Sequence, residues 1–146
     1  MTSYNAAHAF ASYALAGQTD KSGAPLLAHA ERMAAALSPN LFPYKVVAIL
    51  HDVLEDSSAT LVIRLDSAQI SLGSLQLSVT REVGMALQSI TRKGDEIYAD
   101  YIKRVSNNEL ASEVKTLDLE DHLAHPDSIP ASLQRRYWAS LKVLQA

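Results

Sequence analysis

Four ionisable side chains fall within the six positions His51-Asp52-Val53-Leu54-Glu55-Asp56. On a helix, His51 and Glu55 are four apart, as are Asp52 and Asp56, so these side chains form two stacked pairs on neighbouring strips of one surface. One imidazole and three carboxylates on one surface suit a divalent cation, because each offers a nitrogen or oxygen lone pair. The preceding run, Val46-Val47-Ala48-Ile49-Leu50, is apolar on every side. That places the helix in the core and opens its polar end into a cleft. Charge buried there without compensation is costly. The competing reading is an acidic helix end in which His51 is a hydrogen-bonded core histidine. Acid at a helix C-terminus opposes the macrodipole, so that reading also calls for a compensating positive charge.

Three residues elsewhere offer related chemistry. His29 sits at the edge of an apolar stripe of Leu26, Ala30, Met33, Ala34 and Leu37, which recur at helical spacing. Alone, His29 reads more simply as a surface or capped histidine. Asp118 and His122 are four apart and therefore project side by side from a helix. Val114, Leu117 and Leu119 flank Asp118, so its carboxylate is expected to be half-buried and to need a partner.

The elements that must position these groups read as helices. Residues 6–16 form a first helix ended by Gly17, and residues 18–25 have the composition of a loop. A second helix covers 26–37, and Pro39 and Pro43 bracket the connection to a third over 44–55. Leu61-Val62-Ile63-Arg64-Leu65 and Leu75-Gln76-Leu77 are rich in strand formers, so residues 57–78 are expected to form a short β-hairpin or irregular excursion. Helical spacing returns at Val79, Val83, Ala86, Leu87 and Ile90. It continues over 95–106, where Asp100 and Arg104 are four apart, and over 109–123 after the capping pair Asn107-Asn108. Pro126 and Pro130 break the chain before a closing helix over 132–144. The expected fold is all-α: one domain spanning 1–146, a bundle of about six or seven helices.

Composition narrows the chemistry. The 146 residues include no cysteine, which excludes a disulfide, a thiolate ligand and a cysteine nucleophile, and leaves only nitrogen and oxygen ligands for a metal. A formal charge of −3 argues against a broad nucleic-acid footprint while leaving room for a local basic pocket. Arg92-Lys93 and Arg135-Arg136 are the local basic pairs, and each reads more simply as solvated charge. No apolar run is long enough to cross a membrane. The opening segment, with Tyr4, Asn5, His8 and Tyr13 among alanines, lacks the pattern of a signal peptide. A cytoplasmic location is the expectation.

The ordered set carries a resemblance. An isolated His29, the doublet His51-Asp52 followed by Glu55-Asp56, and Asp118 within Val114-Lys115-Thr116-Leu117-Asp118-Leu119 resemble the HD-domain metal-dependent phosphohydrolases. More narrowly, Gly17-Gln18-Thr19-Asp20-Lys21-Ser22-Gly23-Ala24-Pro25 and Ala48 to Asp56 look like the hydrolase half of RelA/SpoT proteins and their small stand-alone relatives. Matching extends to Ile90-Thr91-Arg92-Lys93-Gly94 and Tyr98-x-x-Tyr101-Ile102-x-Arg104-Val105. The resemblance implies a helical HD-domain fold in which His29, His51, Asp52 and Asp118 are the metal ligands. By the same resemblance the metal is divalent, with manganese favoured over zinc, and Glu55 and Asp56 orient or deprotonate the attacking water. Lys21 and Lys115 then stand as phosphate contacts, although each equally reads as a surface lysine. The implied partner is a small-molecule nucleotide, and the implied reaction is hydrolysis of its phosphate or pyrophosphate ester. The leading substrate is guanosine tetra- or pentaphosphate, which would lose its 3′-pyrophosphate. Nothing in these motifs sets the oligomeric state.

Three positions depart from the family pattern. Ala30 replaces a proline after the first histidine, Asp20 replaces an arginine before Lys21, and His122 replaces an asparagine four residues after the metal aspartate. An imidazole at 122 can contact substrate, act as an acid, or become a further ligand. Asp20 and His122 together motivate an alternative: a metal-containing module that binds a nucleotide without turning it over.

Overall fold

The structure is a computed structural model describing residues 3–20 and 22–146. In chain order, α1 (Tyr4–Ala14), α2 (Leu26–Ala35), α3 (Phe42–Leu50) and the single-turn α4 (Val53–Asp56) lead into three strands, β1 (Thr60–Ile63), β2 (Ala68–Leu72) and β3 (Leu75–Val79). Then come α5 (Arg81–Ile90), α6 (Tyr98–Ser106), α7 (Glu109–Ala124), a 3-10 turn at Pro126–Ser128 and α8 (Ala131–Leu144). Ser3, Thr80 and Asn108 cap α1, α5 and α7 by accepting the amides of Ala6, Val83 and Ala111. Among the described residues no helix is long and apolar enough to cross a membrane.

α3 is the axis of the molecule. Val46 to Leu50 are all buried, and α1, α2, α5 and α7 pack around them. An element enclosed on every side has no polar face, which is why its sequence shows no amphipathic period. Whatever polar group ends it lies inside the protein.

The all-α expectation is corrected by a three-stranded antiparallel sheet, ordered β1-β2-β3, so the fold is mixed though mostly helical. Thr60 pairs with Ser71 and Ile63 with Ala68, while Ala68 pairs with Val79 and Leu72 with Leu75. The strand missing from the sequence reading is β2. In Ala68-Gln69-Ile70-Ser71-Leu72, Ala68 and Ile70 face the core, and Gln69 faces outward, donating to Gln76 at 2.8 Å. Gly73, at φ +60°, takes the first place in a two-residue hairpin loop that turns β2 into β3. The sheet lies close against α5. A Cβ at Gly84 would stand 2.4 Å from that of Ala68, so only glycine permits this approach.

Two local corrections matter for the site. The helix expected over 44–55 is broken at His51-Asp52 into α3 and α4. The Ala48 carbonyl, which a continuing helix would offer to the amide of Asp52, instead accepts the His51 Nδ1–H at 2.7 Å. The pairing of Asp100 with Arg104 does not form. α6 begins at Tyr98, leaving Glu96 in the preceding turn, where it takes both Arg104 Nε and Nη2, at 3.0 and 2.8 Å.

Candidate metal centre

α2, α3 and α7 converge on one buried point. His29 from α2, His51 at the end of α3 and Asp118 from α7 are each 4–6% exposed, and one ligand atom of each lies within 4.8 Å of the others. These three could hold a metal ion. Asp118 Oδ1 receives imidazole Nε2 atoms from three directions: His29 at 2.7 Å, His122 at 3.2 Å and His51 at 3.5 Å. Its other oxygen, Oδ2, accepts from Lys115 Nζ at 2.7 Å. Burial would raise the Asp118 pKa, but the Lys115 ammonium and the three imidazoles hold it well below the usual carboxylate range.

His51 is oriented from behind. A carbonyl only accepts, so the contact to Ala48 places the proton on Nδ1 and leaves Nε2 to face the centre. That Nε2 is sealed from solvent and makes no well-aligned hydrogen bond among the described residues, although it pairs with the Asp52 carboxylate, whose Oδ2 lies 3.2 Å away. Burial opposes a charged ring, yet the Asp52 and Asp118 carboxylates outweigh it and push the His51 pKa up to about 9. His29 shifts upward for the same reason, burial being overcome by Asp118 and Asp121. A field that favours a proton on two imidazoles at once favours any cation at the same point.

Asp52, Glu55 and Asp56 form an adjoining acidic group, with one oxygen of each within 4.8 Å of the others. Asp52 thus lies between the two groups, next to His51 rather than within the His29-His51-Asp118 set. Because α3 ends at Leu50, the stacking of His51 on Glu55 expected of a continuous helix is replaced by this sideways arrangement. Partial burial, then Asp52 and Glu55, push Asp56 up to about 6. Glu55 rises too, through burial, although its Oε1 accepts the Arg92 amide.

Other expected residues occupy varied places. Lys115 serves as the direct counter-ion of Asp118 and lies 5.3 Å from the Tyr101 ring centroid. His122 sits 4.4 Å ring to ring from His29 and 5.6 Å from Tyr137. Lys21 lies outside the described residues. Asp20 spends its Oδ1 on closing its own loop, accepting from Ser22 N, Ser22 Oγ and Ala24 N at 2.9, 2.7 and 3.0 Å.

Several residues here carry no motif of their own. Asp121 accepts from Arg32 and contacts His29 Nδ1, and only the three-residue spacing from Asp118 hinted that it shares a face with that ligand. Arg92 and Arg136, one from each basic pair, stand 5.2 and 4.5 Å from the Tyr98 ring centroid. Their spacing in sequence offers no sign of this convergence. No protein-family model matches the chain, and no curated protein matches it.

Proposed function

We propose that the chain is a metal-dependent phosphohydrolase of the HD-domain type, cleaving a phosphate or pyrophosphate ester of a nucleotide. The observation that carries this reading is His51 Nε2, which is solvent-sealed, makes no well-aligned hydrogen bond among the described residues, and is faced by the carboxylates of Asp52 and Asp118 at 3.2 and 3.5 Å. Two carboxylates around an inward-facing imidazole nitrogen favour positive charge at that point, a proton in the metal-free chain and a metal ion where one is present. His29, His51 and Asp118, with Asp52 adjoining, are the residues that would hold the ion. Two imidazoles and two carboxylates suit a borderline or hard divalent ion, and the family resemblance favours manganese. When bound, such an ion supplies positive charge that stabilises a phosphoryl transition state and acidifies water.

The chain's own groups divide the remaining work. Asp56, with its pKa near 6, is poised to accept a proton from attacking water around neutrality. Glu55, fixed by the Arg92 amide, orients that water. Arg92, Arg136 and Lys115 supply positive charge for the phosphate groups of the substrate. By resemblance the leading substrate is guanosine 3′,5′-bis(diphosphate), cleaved at its 3′-pyrophosphate. One observation favours the second reading, a nucleotide-binding module without turnover: Asp20 is an internally satisfied carboxylate where the family carries a cation.

The deciding experiment measures phosphate and pyrophosphate release from a panel of nucleotides by manganese-loaded protein, alongside nucleotide binding. Chelator-sensitive release is expected, falling about 10²–10⁴-fold in Asp56→Asn while metal content is kept. Binding without release from any nucleotide establishes the module instead. Release at the parent rate by Asp56→Asn removes that residue from water activation.

A further inference from the structure

We propose that Asp121, clamped by Arg32, is a positioning residue that sets the tautomer and ring orientation of the metal ligand His29. It thereby sets the affinity of the centre for a first-row divalent cation. This rests on the reading of the centre as a metal site and is independent of the reaction it performs.

The geometry is a matched pair of helical turns. α2 packs on α7, with His29 and Arg32 three apart on one and Asp118 and Asp121 three apart on the other. His29 is gripped at both nitrogens, Nε2 lying 2.7 Å from Asp118 Oδ1 and Nδ1 2.6 Å from Asp121 Oδ2. A neutral imidazole has one N–H and one lone pair. To give the lone pair to a cation from Nε2, beside Asp118, the ring must keep its proton on Nδ1. An ionised carboxylate only accepts, so Asp121 holds the proton there. Arg32 in turn fixes Asp121: its Nε donates to Oδ1 at 3.1 Å and its Nη2 to Oδ2 at 2.9 Å. That fork locks the plane of the carboxylate.

His51 shows the same construction made from backbone. Its Nδ1 is held at 2.7 Å by the Ala48 carbonyl, and its Nε2 faces the same oxygen of Asp118. Both ligand imidazoles are thus anchored through Nδ1 and directed inward through Nε2. Asp121 does by side chain what Ala48 does by main chain, with the added pull of a full negative charge. A salt bridge serving only to join α2 to α7 would need Arg32 and Asp121 alone, and would not need an imidazole nitrogen 2.6 Å from the carboxylate.

The test titrates the full-length protein with Mn²⁺ and with Zn²⁺ against a chromophoric chelator, for the parent and for Asp121→Ala, Asp121→Asn and Arg32→Met. Nitrogen-detected NMR of the imidazoles on the zinc-loaded forms reports the His29 tautomer. Asp121→Ala is expected to weaken binding of both ions about 10–100-fold, the range for loss of a group that orients a ligand histidine. Asp121→Asn, whose amide oxygen still accepts from Nδ1–H, should retain part of the affinity, and so should Arg32→Met. In the parent the His29 proton should sit on Nδ1. Parent affinity in Asp121→Ala overturns the inference even if that variant is less stable, because the pair is then only a helix-to-helix tie. If Asp121→Ala does not fold, the near-isosteric Asp121→Asn carries the test: weakened affinity supports the inference and parent affinity overturns it. A parent that binds neither ion also overturns it. Asp121-dependent metal binding without nucleotide turnover sinks the proposed reaction and leaves this inference standing.

Discussion

Asp118 serves two sets of partners, three imidazoles at Oδ1 and the Lys115 ammonium at Oδ2. Removing a buried carboxylate strands the charges it answers, and breaking such a pair typically costs about 3–5 kcal/mol. Asp118→Ala is therefore expected to be destabilised by that amount in urea titrations of metal-free protein. Combining it with Lys115→Met should cost clearly less than the two single changes added together, since the second change removes the stranded ammonium. Strict additivity would show that the pair is not energetically coupled. At this scale much of the centre was legible: His51 follows five apolar residues, and Asp118 stands between core positions four residues before a histidine. Each announces a polar group in an apolar setting. Asp121 was not legible, because its meaning comes from His29 and Arg32, which are 92 and 89 residues away. Asp20 was legible as a departure from the family pattern, but what its carboxylate does was not, since it accepts from amides two and four residues ahead.

The helices were readable because capping residues and 3.6-residue spacing are local signals, whereas their interruptions were not. The break at His51-Asp52 depends on a side chain competing for a backbone carbonyl, a choice that no periodicity records. β2 was hidden for a similar reason. Ala68 is a poor strand former by propensity, and it is accommodated there because Gly84 of α5 leaves it room. The connection from α5 to α6 depends on Arg104, which donates to the Gln88, Ser89 and Thr91 carbonyls at the end of α5 as well as to Glu96. Hydrogen bonds from Arg104 hold the Glu96 pKa down to about 2, from an ordinary value of 4.5. A carboxylate with a lower pKa folded than unfolded binds protons more readily in the unfolded chain. Its contribution is therefore present above about pH 4.5 and is lost as pH falls toward 2. Glu96→Gln should flatten the stability profile across that window, read as the urea midpoint at about pH 6 and about pH 3. A parent and variant whose midpoints fall in parallel would show that the ion pair does not contribute to acid sensitivity.

Across the whole molecule, the candidate ligands come from three separate places, α2, the C-terminal end of α3 and α7, at positions 29, 51 and 118. Only the folded chain brings them together, so an ion at a hundredfold excess over its dissociation constant should add roughly 2.7 kcal/mol to stability. Thermal unfolding with and without chelator checks this, and identical midpoints would rule out a tight native-state site. The positions of those ligands along the chain have a topological consequence. A cation joining them is a removable cross-link that closes two loops, a short one holding the connection from α2 to α3, and a long one enclosing the sheet, α5 and α6. α2 would then be unable to peel away from α7 without expelling the ion. Its amides should exchange hydrogen only when the whole protein opens, whereas in the metal-free chain they can exchange through a smaller, local opening. The strands contribute no ligand, and among the described residues the outer edge of β1 has no strand beside it. Exchange at that edge should proceed at the same pace with or without metal, so one labelling experiment would map which part of the molecule the cross-link fastens and which part it leaves free.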